Sequence, residues 1–189
     1  MSFTLWFDDV CALPAGVVLE RVRQAEKTPL GDLRIYDLLR EGDRPLLWGV
    51  YFFFSQDGEC LYVGKNSARK FVERIPVHLC LHPDDWMNHF VKRIHKREGL
   101  GCLTDAAEAA RGHTLLLMPV SHKEQTKRLA AVEKFFRLFA EPKYNALRRR
   151  KRHNLIDLKS PFSDVLNEMQ PRQAQQRGPA LDSGGMEEV

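Results

Sequence analysis

The stretch Trp48–Leu79, "WGVYFFFSQDGECLYVGKNSARKFVERIPVHL", decides the fold. Leu47–Phe54 is aromatic and β-branched, which reads as a strand. Asp57-Gly58 is a strong type I′ turn dipeptide, and Cys60–Gly64 is the returning strand. A two-residue loop there pairs Gln56 with Glu59, Phe53 with Tyr62 and Tyr51 with Gly64. Side chains alternate along a strand, so Tyr51 and Tyr62 share one face. They are diagonal neighbours, with Cα atoms about 7–8 Å apart. Gly64 offers no side chain opposite Tyr51, so the pattern predicts a small depression between two phenol hydroxyls. Such a shape suits a phosphate. The plainer alternative is two core aromatics whose hydroxyls reach the surface.

The residues after the hairpin favour chemistry. Ser67 is a candidate cap for a helix beginning near Ala68, with Phe71, Val72, Ile75 and Leu79 at helical spacing. Arg74 and His78 are four residues apart and share a helix face. Arginine presents a fork of donors that matches phosphate, and histidine exchanges a proton near neutral pH. Pro76 lies between them and costs about 3 kcal/mol inside a helix. It is expected to kink the helix, or to end and restart it, leaving Arg74 in place and His78 less secure.

Outside this stretch, residues 1–46 read as an N-terminal extension with helices at Val17–Glu26 and Asp32–Glu41. Pro83 fits the first turn of a helix running to about Arg97, with Asp84 and Asp85 at its positive end. Thr104–Arg111 is a short helix, Leu115–Val120 a buried third strand, and Lys123–Ala140 a long helix that stops before Pro142. On that helix Glu133 lies at the border of the apolar stripe formed by Leu129, Val132, Phe135, Phe136 and Phe139. A carboxylate there could hold a divalent metal at the edge of the core. The alternative is an ion pair with Arg137 at i,i+4. Asn145, beyond the proline break, orients the site or caps a turn. Residues 154–169 read as a further helical segment and residues 170–189 as a disordered tail, polar and poor in aromatics. The fold class is therefore α+β: three strands among helices, with the main domain spanning residues 47–153.

Charge is unevenly placed. The net value is only +4, yet Lys65–Arg97 holds eight basic residues against three acidic ones. Lys143–His153 holds six basic residues and no acid. Clustered cations on a balanced chain point to a polyanionic partner. Arg69, Lys70 and the run Arg148, Arg149, Arg150, Lys151 and Arg152 are the expected backbone contacts. Cys11, Cys60, Cys80 and Cys102 form no C-x-x-C pair, which argues against a zinc ribbon or a disulfide framework and fits a reducing cytoplasm. No apolar run approaches the roughly 20 residues of a membrane helix, and "MSFTLWFDDV" lacks the basic and apolar regions of a secretory signal.

Taken together, "GVY" at 49–51, "YVG" at 62–64, R-x-x-x-H at 74–78, and Glu133 with Asn145 in "EKFFRLFAEPKYN" resemble the GIY-YIG endonuclease superfamily. The resemblance covers about a hundred residues, Leu47–Leu147, with the elements in order. It implies a small three-stranded antiparallel sheet flanked by helices, and hydrolysis of phosphodiesters in DNA with one divalent metal, Mg2+ or a substitute such as Mn2+. Tyr51 would then activate or position the attacking water. Tyr62 would join that network or bind the phosphate. Arg74 would stabilise phosphoryl charge, His78 would relay a proton, Glu133 would hold the metal and Asn145 would support the site. Lys65, just after the second triplet, is expected to lower the tyrosine pKa. No zinc finger or helix-turn-helix is evident, so recognition falls to the domain surface, residues 1–46, the basic run, a homodimer partner or a separate protein. The rival reading is a nucleic-acid-binding module on the same fold that lacks catalysis.

Overall fold

A central sheet carries helices on both faces. The computed structural model describes residues 3–82, 84, 89–145 and 156–170. The N-terminal part contains α1 (Phe7–Val10), α2 (Ala15–Gln24), β1 (Thr28–Pro29), a 3-10 turn (Ile35–Leu38), β2 (Arg40–Glu41) and β3 (Arg44–Pro45). The hairpin is β4 (Trp48–Phe54) with β5 (Cys60–Asn66). Then come α3 (Phe71–Arg74), a 3-10 turn (Pro76–Leu79), α4 (His89–Glu98), α5 (Leu103–Arg111) and β6 (Thr114–Val120). A 3-10 turn (Lys123–Arg128), α6 (Leu129–Phe139) and α7 (Phe162–Met169) complete the order. The start expected at Pro83 and Asp85, the run Arg148–Arg152 and the tail beyond Gln170 lie outside the described residues. Among the described residues no helix is long and apolar enough to cross a membrane, and the four cysteines are free.

The sheet has four strands, not three, in the order β1-β6-β4-β5 and antiparallel throughout. The added strand is Thr28–Pro29, pairing with Leu115 and Thr114. Two residues are too few to show alternation, and Pro29, lacking an N–H, belongs at an edge. Asp32–Glu41 is not a helix. It forms the 3-10 turn and then β2, which pairs with β3 around Gly42, whose φ of 56° suits a glycine. In that turn Leu38 is buried while Ile35 and Tyr36 are exposed, so little apolar surface is available to hold a longer helix.

The hairpin has the expected register by an unexpected route. Ser55 N–H donates to Glu59 O and Gly58 N–H to Ser55 O, so the loop is three residues, with Gly58 at φ 82°. That shifts the pairing by one residue, giving Phe54 opposite Cys60. A bulge at Leu61 then restores it, so Phe53 faces Tyr62 and Tyr51 faces Gly64.

Alternation sorts the strands into two cores. Val50, Phe52, Phe54, Val63, Leu116 and Met118 face α2, α6 and α7. On the other face Tyr51, Phe53, Tyr62, Leu115 and Leu117 pack with Phe71, Phe90 and Ile94 from α3 and α4, and with Ala106 and Ala110 from α5. Gly49 fixes how close α3 comes: a Cβ there would lie 2.8 Å from the Phe71 ring. The first triplet's glycine thus seats the helix that carries Arg74.

Candidate functional site

The two tyrosines sit on the second of these faces, as the alternation requires. Their rings stack with centroids 6.2 Å apart and 21° between planes. The predicted depression is filled. Tyr51 folds its own ring over Gly64, so a Cβ at Gly64 would overlap the ring and its hydroxyl. Both tyrosines are buried, Tyr51 at 0% exposure.

Burial of a phenol needs hydrogen-bond partners, and Tyr51 has two. Its hydroxyl lies 2.7 Å from His78 Nε2 and accepts from Arg74 Nε at 3.3 Å. Arg74 can only donate. When the imidazole carries its proton on Nδ1, the phenol proton goes to His78 Nε2. Burial pushes the Tyr51 pKa well above the ordinary tyrosine range, the Tyr62 hydroxyl adds to this, and Arg74 opposes it. Tyr62 meets the network through its ring, 5.3 Å from the His78 ring.

The break expected at Pro76 is present, and it settles the place of His78. The chain does break there: α3 ends at Arg74, and Pro76 opens a separate 3-10 turn at a position where its missing N–H costs nothing. That turn carries His78 inward to full burial against Tyr51. The proline therefore positions the histidine. The helix start also differs, since Lys70 rather than Ser67 precedes α3 and its N–H is capped by Glu73 Oε2 at 2.6 Å. Arg69 and Lys70 are exposed at that end.

Glu133 stands at the border of the α6 stripe, as its spacing implied, with its side chain 19% exposed. Lys65 Nζ lies 3.8 Å from Oε2 and Arg137 3.7 Å from Oε1. Burial raises the carboxyl pKa, while Lys65, Arg137 and Arg74 pull it back. Lys65 is therefore a partner of Glu133, and the cation that acts on Tyr51 is Arg74. Strand alternation explains this, because Lys65 and Tyr62 point to opposite faces. The field of Glu133 reaches both phenols.

Asn145 supports the site through the backbone. Its Oδ1 accepts from Val63 N–H at 2.6 Å and its Nδ2 donates to Val63 O at 2.8 Å. The amide thus completes the outer edge of β5, between the second tyrosine and Gly64. Lys143 and Tyr144 add N–H bonds to Cys60 O and Leu61 O. Asn145→Ala leaves both polar groups of a buried strand residue without these partners, at about 1–3 kcal/mol each. A clear fall in melting temperature is expected, and an unchanged one would remove Asn145 from this role.

Two contributors escape a reading of the sequence alone. Arg93 places its guanidinium 5.3 Å over the Tyr62 ring and donates to Tyr144 O. Arg137 is visible there only as an i,i+4 partner of Glu133, yet its field also reaches Tyr62. One basic residue among several in "VKRIHKRE" gives no local signal for the position that Arg93 takes.

The glycine of the second triplet yields a direct test. Gly64→Ala forces the Tyr51 ring out of its seat and so parts the hydroxyl from His78 and Arg74. Any activity of this site should fall at least about 10²-fold, the range for a positioned proton-transfer group. A Gly64→Ala protein of undiminished activity would show that the seat does not matter.

Among the described residues no three His, Cys, Asp or Glu side chains come together. Mg2+ keeps several waters and takes one or two carboxylates plus substrate phosphate, so Glu133 would serve it as the single carboxylate only once Lys65 and Arg137 give up its two oxygens. No family model, curated protein or solved structure matches the chain.

Proposed function

We propose that the chain is a metal-dependent DNA endonuclease of GIY-YIG type, cutting phosphodiester bonds by hydrolysis. The observation that supports this reading most is the Tyr51 hydroxyl held at once by His78 Nε2 and Arg74 Nε. Residues from a strand, a short helix and a proline-opened turn converge there on one oxygen. Packing alone asks for one partner for a buried phenol, and an apolar residue would serve better than an arginine.

In this mechanism Tyr51 receives the proton of the attacking water as it passes its own to His78. The raised phenol pKa makes a free tyrosinate costly at pH 7, so the two transfers are coupled through the 2.7 Å contact. Arg74, half-buried between the phenol and solvent, stabilises charge gathering on the phosphoryl oxygens. Glu133 would hold the divalent ion, which when bound supplies charge neutralisation at the phosphate and a more acidic water. Tyr62 and Asn145 position the strand that carries the network. The exposed Arg69 and Lys70 contact the DNA backbone.

A second reading, a nucleic-acid-binding module without catalysis, is favoured by one observation: Tyr51 and His78 are both 0% exposed. In that case the three-residue network is a folding element and only the surrounding cations meet nucleic acid. Incubating purified protein with supercoiled plasmid and with branched DNA, in Mg2+ and in EDTA, separates the two. The nuclease reading expects nicked or linear product in Mg2+ alone. Tight binding with no product on any substrate supports the module.

A further inference from the structure

Two cations hold the single carboxylate of the site, and the field of a third reaches it. Lys65 and Arg137 are paired with Glu133, and Arg74 is close enough to lower its pKa. The charge beside Glu133 is therefore positive in total. A divalent cation approaching that carboxylate meets repulsion from its neighbours, whereas a tetrahedral oxyanion meets attraction. The two ion pairs, at 3.7 and 3.8 Å, are longer than the roughly 2.7–2.9 Å of a tight charge-assisted hydrogen bond. The side chains of Lys65 and Arg137 are 37% and 32% exposed, so a ligand arriving from solvent can reach both.

We propose that Arg137, with Lys65 and Arg74, forms the phosphodiester-binding site, and that a divalent cation gains Glu133 only when a bound phosphate has drawn Arg137 and Lys65 off it. This rests on the nuclease reading and assigns Arg137 a ligand in it. The phosphate replaces Glu133 as the anion between the two cations. The released carboxylate then faces a bound polyanion, and a cation is attracted to both. Binding of phosphate and of metal is consequently cooperative, and by linkage each tightens the other by the same factor. The arrangement also keeps a lone metal from occupying the site before the substrate arrives.

The test is calorimetry on the full chain, with Mn2+ and with sulfate as the tetrahedral oxyanion probe, each alone and together. Sulfate is expected to bind without metal. Mn2+ alone should bind at least about tenfold more weakly than in saturating sulfate, as expected for partly screened charges at close range. Arg137→Gln and Lys65→Gln should each weaken sulfate and strengthen Mn2+ alone. Glu133→Gln should do the reverse, tightening sulfate while removing Mn2+ binding. An ion pair that merely held the fold together would not produce these opposite shifts. Equal Mn2+ affinity with and without sulfate overturns the proposal, and so does an Arg137→Gln protein, folded by circular dichroism, with both affinities unchanged. Cleavage is scored separately on plasmid, so failure of the nuclease reading appears there and not in the calorimetry.

Discussion

Glu133→Gln is expected to abolish DNA cleavage in Mg2+ while DNA binding stays at least as strong. The substitution keeps the side-chain shape and removes one negative charge. Lys65, Arg137 and Arg74 remain, so the surface becomes more attractive to phosphate. Folding should change little, because glutamine keeps the shape and removes the cost of burying a charge, which offsets the two lost ion pairs. The loss therefore falls on turnover, where a metal stabilises developing charge. Single-turnover cleavage and a filter-binding curve on the same preparation check both halves. Near wild-type cutting by the variant would remove Glu133 as the metal ligand.

Arg74→Ala should be almost as severe. Arg74 is half-buried, its Nε donates to the Tyr51 hydroxyl, and on the proposed reading its charge would also meet the phosphate. Removing one preorganised donor to developing charge costs about 10²–10³-fold in rate. His78→Gln should fall in the same range, since Gln keeps a hydrogen-bonding group beside Tyr51 but cannot take up a proton at neutral pH. Pro76 does not protect the site from the histidine's loss, because His78 is in contact and not displaced. If His78→Gln cuts like wild type while Arg74→Ala is dead, the relay through the imidazole is wrong and Tyr51 acts alone.

The hairpin, the face shared by Tyr51 and Tyr62, and the border position of Glu133 are legible in the sequence because each obeys a fixed period, two on a strand or 3.6 on a helix. What the period cannot carry is lost. The Gln56–Gly58 loop and the Leu61 bulge shift register in opposite directions, and two compensating shifts leave no trace in an alternation pattern. Thr28–Pro29 joins the sheet by backbone pairing alone, with no side-chain pattern to announce it. Pro76 looks like a disruption only if one helix continues through it. Two short turns end to end give it a place where its ring and missing N–H are acceptable. The Tyr51 seat over Gly64 reads as an empty depression because a glycine marks absent volume without saying what fills it. Lys65 is nearer to Tyr62 in sequence, but strand alternation sends it to Glu133.

The central claim is that the Tyr51 hydroxyl, and not merely its ring, does the chemistry. The single-turnover rate of DNA cleavage by Tyr51→Phe against wild type, in Mg2+ and with melting temperatures measured alongside, tests this most directly. Phenylalanine keeps the ring over Gly64 and its stacking on Tyr62. It deletes the one oxygen that Arg74 and His78 share. The account predicts a fall of about 10²–10⁴-fold in rate, the usual range for general acid–base groups, with DNA affinity nearly unchanged. Equal cleavage rates for the two proteins would contradict it and leave Tyr51 as a core aromatic.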